Sequence, residues 1–177
     1  EAVVDGVLTA STDFEYEDTA QQQVDFTLAG VPAGPVDLWT ADGDVTVEGV
    51  DWLLRVVGRS IAGTSIQGSG FYLAHDGDVT LDLSLADDDV VWVEAPEGSV
   101  TLTVPRELEY ELWVVAASNG SITVEDFGFH RKTWGDGVDV RDGVFVGSHD
   151  EATVRITVLS AGGTVSITGP DAEDDDA

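Results

Sequence analysis

The sequence predicts an all-β chain: a single-domain β-solenoid, a β-helix-like stack of short strands joined at glycine turns. A β-sandwich is the alternative. Three observations carry the prediction. A turn followed by a strand recurs in nearly the same wording, at Asp42-Gly43-Asp44-Val45-Thr46-Val47, Asp76-Gly77-Asp78-Val79-Thr80-Leu81, Glu97-Gly98-Ser99-Val100-Thr101-Leu102, Asn119-Gly120-Ser121-Ile122-Thr123-Val124 and Gly162-Gly163-Thr164-Val165-Ser166-Ile167. Within each copy, apolar and polar residues alternate with a period of two, the mark of a strand with one buried face. Counting weaker copies at Gly63-Thr64-Ser65-Ile66 and Asp142-Gly143-Val144, turns fall about every 20 residues with one shorter interval, a spacing of stacked repeats. Hairpins of a sandwich turn about every 8–12 residues. Asp-Gly and Asn-Gly are expected to supply positive φ at tight turns, since glycine has no Cβ to clash.

Taken in order, Val3, Val4, Val7 and Leu8 suggest a leading edge strand, and residues 13–23 are polar and acidic. Val24 to Leu28 alternates cleanly, and residues 30–35 form a Gly/Pro loop. The repetitive domain is expected to span residues 36–169, with leading strands in 1–35 and a disordered acidic tail in 170–177. In Val50 to Val57 the apolar residues crowd too closely for strict alternation, which predicts a bulged strand or one helical turn. Val79, Leu81, Leu83 and Leu85 share a face, as do Val100, Leu102 and Val104, and Val154, Ile156 and Val158.

Charge is the strongest compositional signal. Among 177 residues, 35 Asp and Glu oppose seven Lys and Arg, for a net charge of −28. A surface of that density repels itself at low ionic strength, whereas at molar salt the Debye length falls to about 3 Å. The acids are spread along the whole chain and Lys132 is the sole lysine, which predicts a halophilic source, a haloarchaeon above all. The same charge disfavours nucleic acid and anionic membrane as partners, because no basic stripe faces phosphate. Arg131-Lys132 reads as a solvated turn. Protein partners, self-association and loosely held solvated cations stay open.

Cysteine is absent, which removes disulfides and thiolate chemistry. The chain begins at Glu1 and has no Met, so a mature or trimmed form is expected, and no apolar run reaches transmembrane length.

The stretch from Gly98 to Gly169 resembles a family of repetitive β-domains known as "putative adhesin". The likeness rests on Gly98 to Pro105, on Ser118 to Val124, on a loop with Gly135-Asp136-Gly137, and on Thr153 to Ile167. It implies a β-helical or β-roll fold and a cell-surface or extracellular setting over a cytoplasmic one, and it supplies no catalytic residues. A fainter likeness to bactofilins, which polymerise end to end, is architectural only.

No catalytic, cofactor-binding or metal-ligating residue stands out, and no cofactor is implied. His75, His130 and His149 lie far apart and belong to no nucleophile elbow, zinc or phosphate-loop motif. Asp87-Asp88-Asp89 and the pairs Asp42/Asp44 and Asp76/Asp78 raise calcium, but the Gly-Gly-x-Gly-x-Asp wording of calcium β-rolls is missing and chance clusters are expected in so acidic a chain. The five tryptophans pose a different question, since flat rings on one face make a carbohydrate ledge. Parity predicts Trp113 exposed, and apolar neighbourhoods predict Trp39, Trp52 and Trp92 in the core; Trp134 falls in a polar loop. The leading expectation is a non-enzymatic structural or interaction module. A polymerising scaffold comes second, and a β-helical polysaccharide-active enzyme using paired carboxylates third.

Overall fold

The computed structural model describes residues 2–4, 7–11, 25–29, 35–51, 53–105, 108–125, 131–133, 140–148 and 151–169. The expected acidic tail, His130, His149, Trp52 and Trp134 lie outside them. The described chain is all strand and corner: β1 (Ala2–Val4), β2 (Val7–Ser11), β3 (Phe26–Ala29), β4 (Val36–Trp39), β5 (Val45–Glu48), β6 (Leu53–Gly58), β7 (Ile61–Gln67) and β8 (Gly70–Ala74) come first. β9 (Val79–Ser84), β10 (Val90–Ala95), β11 (Val100–Thr103), β12 (Tyr110–Glu125), β13 (Arg131–Thr133), β14 (Val140–Ser148), β15 (Val154–Ser160) and β16 (Val165–Thr168) follow. No helix among the described residues is long and apolar enough to cross a membrane.

The strands form a β-solenoid. Even-numbered strands from β2 to β10 pair in parallel on one side, and odd-numbered strands from β3 to β11 pair in parallel on the other. Each coil therefore gives one strand to each sheet. Columns of equivalent residues line the interior: Val45, Ile61, Val79, Val100, Val165 and Ile122 in the second sheet, and Leu38, Val56, Tyr72, Val93, Val158 and Val114 in the first. All are buried, in one continuous core.

The order of coils departs from the order of the chain. After β10 and β11 the next coil in space is β15 with β16, and β12 lies beyond it. β12 is long enough to serve both sheets, pairing with β15 through Tyr110–Ala116 and with β16 through Ile122–Glu125. The chain then doubles back as β14, antiparallel to β12, with β13 antiparallel on its outer side. At the opposite end β1 lies antiparallel to β2.

The glycine corners work differently from the hairpin expectation. The positive-φ glycines among the described residues are Gly49 and Gly68, neither of them in the recurring wording. Gly77, Gly98 and Gly163 instead stack in a column where one coil's backbone touches the next. A Cβ on Gly98 would sit 1.9 Å from the Gly77 carbonyl oxygen, and one on Gly163 would sit 2.3 Å from that of Gly98. In three of the copies the next residue ties the corners together. The Asp44 amide donates to Asp25 (2.9 Å), the Ser99 amide to Asp78 (2.8 Å) and the Thr164 amide to the Ser99 hydroxyl (3.3 Å).

Two weak copies fall elsewhere than expected. Gly63-Thr64-Ser65-Ile66 lies inside β7, where Ser65 adopts a φ of 54° and the register shifts, so Ile66 fills the core space beside Gly63. The true corner of that coil is Arg59-Ser60, whose Arg59 guanidinium grips both Asp44 oxygens. Asp142-Gly143 lies within β14. Of the stretch from Val50 to Val57, residues 53–57 lie in β6, which carries a bulge where the register shifts opposite Val36 and Asp37.

Candidate functional site: the outer face of the first sheet

The two sheets present different outer faces. Across the second sheet a single row holds Thr27, Thr46, Ala62, Thr80, Thr101, Ser166 and Thr123. Small hydroxyls at parallel register make a polar, hydrated surface. The first sheet carries apolar and aromatic residues on its outer side as well, interspersed with charged ones. One outward row holds Arg55, Phe71, Trp92, Thr157, Trp113 and Val146, and the next holds Trp39, Val57, Leu73, Glu94, Leu159 and Val115.

Trp113 is 54% exposed, Val90 47%, Val144 40% and Trp92 39%. Every described tryptophan therefore sits on this one face. Trp113 is exposed as parity predicts, but Trp92 and Trp39 are outward-facing and not core. The reason lies in β4 and β10, whose apolar residues occupy both faces, so hydrophobic neighbours misassign their side. A usable signal existed: each tryptophan shares strand parity with an acid two residues away, namely Asp37, Glu94 and Glu111.

Polar partners fix the rings and edge the face. The Trp92 indole Nε1 donates to Glu94 Oε1 at 2.6 Å. Arg155 Nε donates to Glu111 Oε2 at 2.7 Å, and Arg55 binds both oxygens of Asp37 at 3.0 and 2.9 Å. Adjacent strands lie about 4.8 Å apart, which sets Phe71 beside Trp92 and puts Trp113 two strand spacings, about 10 Å, beyond it. The intervening position is Thr157, contributed by the inserted strand β15. Two large rings flank a small hydroxyl on a flat support.

The acidic clusters serve the corners. Asp87 accepts from Thr153 Oγ1 at 2.8 Å. Asp88 takes a φ of 70°, and Asp89 accepts from Ser69 Oγ (2.9 Å) and the Ala86 amide (2.8 Å). Asp44 is held below the ordinary carboxylate range by the Arg59 guanidinium and the Ser60 hydroxyl. Among the described residues no three His, Asp or Glu side chains converge to hold a metal ion. His75 is exposed.

No protein-family model and no curated protein matches the sequence. Among solved structures, a protein from Clostridium sporogenes named "putative cell adhesion protein" is similar over 77% of this chain, at 9% identity and a TM-score of 0.38. The chain spans 57% of that protein's length. So low a TM-score adds nothing to the architecture already described.

Proposed function

We propose that the chain is a non-enzymatic, adhesin-like binding module whose ligand lies across the outer face of the first sheet, and that the ligand is an extended polysaccharide. One observation carries the reading: Phe71, Trp92 and Trp113 share a single outward row, although solvent normally claims that side of a sheet. Sugar rings have apolar C–H faces that stack on aromatic planes and hydroxyl edges that need partners. The row offers both, with Thr157, Glu94 and Arg155 beside the rings. The separation of Trp92 from Trp113 is close to a disaccharide unit of an extended chain, so alternate sugars meet rings. A net charge of −28 works against an anionic polymer. It also works against a second copy of the chain docking face to face, except where salt screens the repulsion.

A halophilic source and a cell-surface location belong to the same proposal, supported by the dispersed acidity and by a flat, open binding face. The polymerising reading loses support from the antiparallel strands β1 and β14–β13, which end the parallel ladder of the first sheet on both sides. Affinity electrophoresis at molar salt against neutral linear glucans tests the proposal. Retardation of the native chain, abolished in Trp92→Ala and Trp113→Ala, is the expected result. Equal mobility with and without glucan, across glucans of several linkages, defeats it.

A further inference from the structure

Beside the aromatic face, where the chain crosses from the second sheet to the first, an open cleft of about 500 Å³ is lined by Asp51, Gln67, Ser69, Ser84, Leu85 and Asp89, among others. Its lining holds two carboxylates and no cationic side chain. Asp51 Oδ1 is shut away from water and finds no hydrogen-bond partner. Tyr72 is fully buried with its hydroxyl unpartnered, and burial, followed by the charge of Asp89, raises its phenol above the ordinary value. A buried acceptor left unpaired costs about 1–3 kcal/mol. Asp51 Oδ1 is such an atom, and its residue lines the cleft.

The cleft falls within the usual size of small organic ligand sites, about 300–1,000 Å³, and is far larger than a bare ion. Ser69 immediately precedes β8 and lies two residues, about 7 Å of extended chain, before Phe71, and Asp89 immediately precedes β10, three residues before Trp92. The cleft therefore opens at the margin of the aromatic row.

We propose that this cleft binds the ammonium group of an amino sugar, with Asp51 and Asp89 as acceptors and Leu85 against the ring. The proposal rests on the glycan reading of the aromatic face and names the sugar class that face prefers. An ammonium supplies donors that Asp51 lacks, and the charge-assisted bonds formed are the stronger kind. The neighbouring hydroxyls of the ring meet Gln67, Ser69 and Ser84.

The test compares the disaccharide of glucosamine with its fully N-acetylated counterpart, by calorimetry at molar salt, where a Debye length of about 3 Å suppresses non-specific attraction to the acidic surface. The amine is expected to bind at least about tenfold more tightly. Asp51→Asn, isosteric and uncharged, removes that preference while the unfolding midpoint holds or rises. Trp92→Ala weakens both sugars alike. Equal affinity for amine and acetamide, an amine preference unchanged in Asp51→Asn, or no binding of either disaccharide overturns the proposal. Longer neutral glucans retained in the last case would show the aromatic reading surviving without it.

Discussion

Replacing Gly98 with alanine tests the close-stacked corner most directly. The added Cβ would stand 1.9 Å from the Gly77 carbonyl oxygen and 2.4 Å from its carbon. Reaching ordinary contact near 3.5 Å requires the two coils to part by about 1.6 Å at this point. The obstacle is backbone, so no rotamer change relieves it. The flanking bonds from Val79 N to Ser99 O (2.9 Å) and from Val100 N to Thr164 O (2.9 Å) would stretch beyond useful length. Overpacking usually costs about 1–3 kcal/mol, and weakening two ladder bonds adds about 1 kcal/mol each, so the loss is expected at about 3–5 kcal/mol. Gly49→Ala is the matched control: nothing lies within 4 Å of its Cβ, and its φ of +59° alone costs about 1–2 kcal/mol. Guanidinium unfolding at constant molar salt, read by tryptophan fluorescence, should give a much lower midpoint for Gly98→Ala at unchanged slope. A Gly98→Ala penalty no larger than that of Gly49→Ala would refute the argument that close approach, and not backbone sign, selects these glycines.

Other outcomes follow from the same structure. Tyr72→Phe deletes a buried hydroxyl without a partner and should stabilise the fold by about 1 kcal/mol, measured by the same unfolding curve. Burial raises the Tyr72 and Tyr110 phenols above their ordinary value; the stability from keeping them neutral is complete below about pH 10 and is lost as pH rises, so Tyr72→Phe should also flatten the alkaline decline. Asp44 shifts the other way: its pairing with Arg59 contributes above about pH 3.9 and fades as pH falls, and Asp44→Asn should lose stability at pH 7 yet match the native chain in acid. Dilution from molar to low salt should lower the thermal midpoint and the near-UV circular dichroism signal together, since charges that share one sign are then unscreened; an unchanged signal contradicts the halophilic reading.

Period-two parity was enough to read the core from residues alone. Val45 and Val47, Val79, Leu81 and Leu83, and Val154, Ile156 and Val158 all turn inward as their alternation requires. Turn wording was a weaker guide, because Asp-Gly suits a hairpin and a coil corner equally; the distinction depends on what backbone passes next to the glycine, which is a non-local fact. Arg59-Ser60 escaped notice for the related reason that an arginine replaces the glycine there. The aromatic face was hidden by strands apolar on both sides, with Glu94 and Asp37 as the overlooked markers. The position of β15 between β10 and β12 has no local signature at all, since its residues repeat the same pattern as every other coil.

That displaced rung shapes how the molecule can be assembled and pulled apart. A ribosome delivers β12 before the strand that must lie beneath it, so the nascent stack cannot lengthen rung by rung; a gap has to be kept or reopened for β15 and β16 to slide in. Once seated, β15 and β16 are clasped by neighbours above and below, and tension applied near Gly169 meets two ladders in shear instead of one fraying edge. A segment synthesised after β12 thus becomes one that is held on both sides.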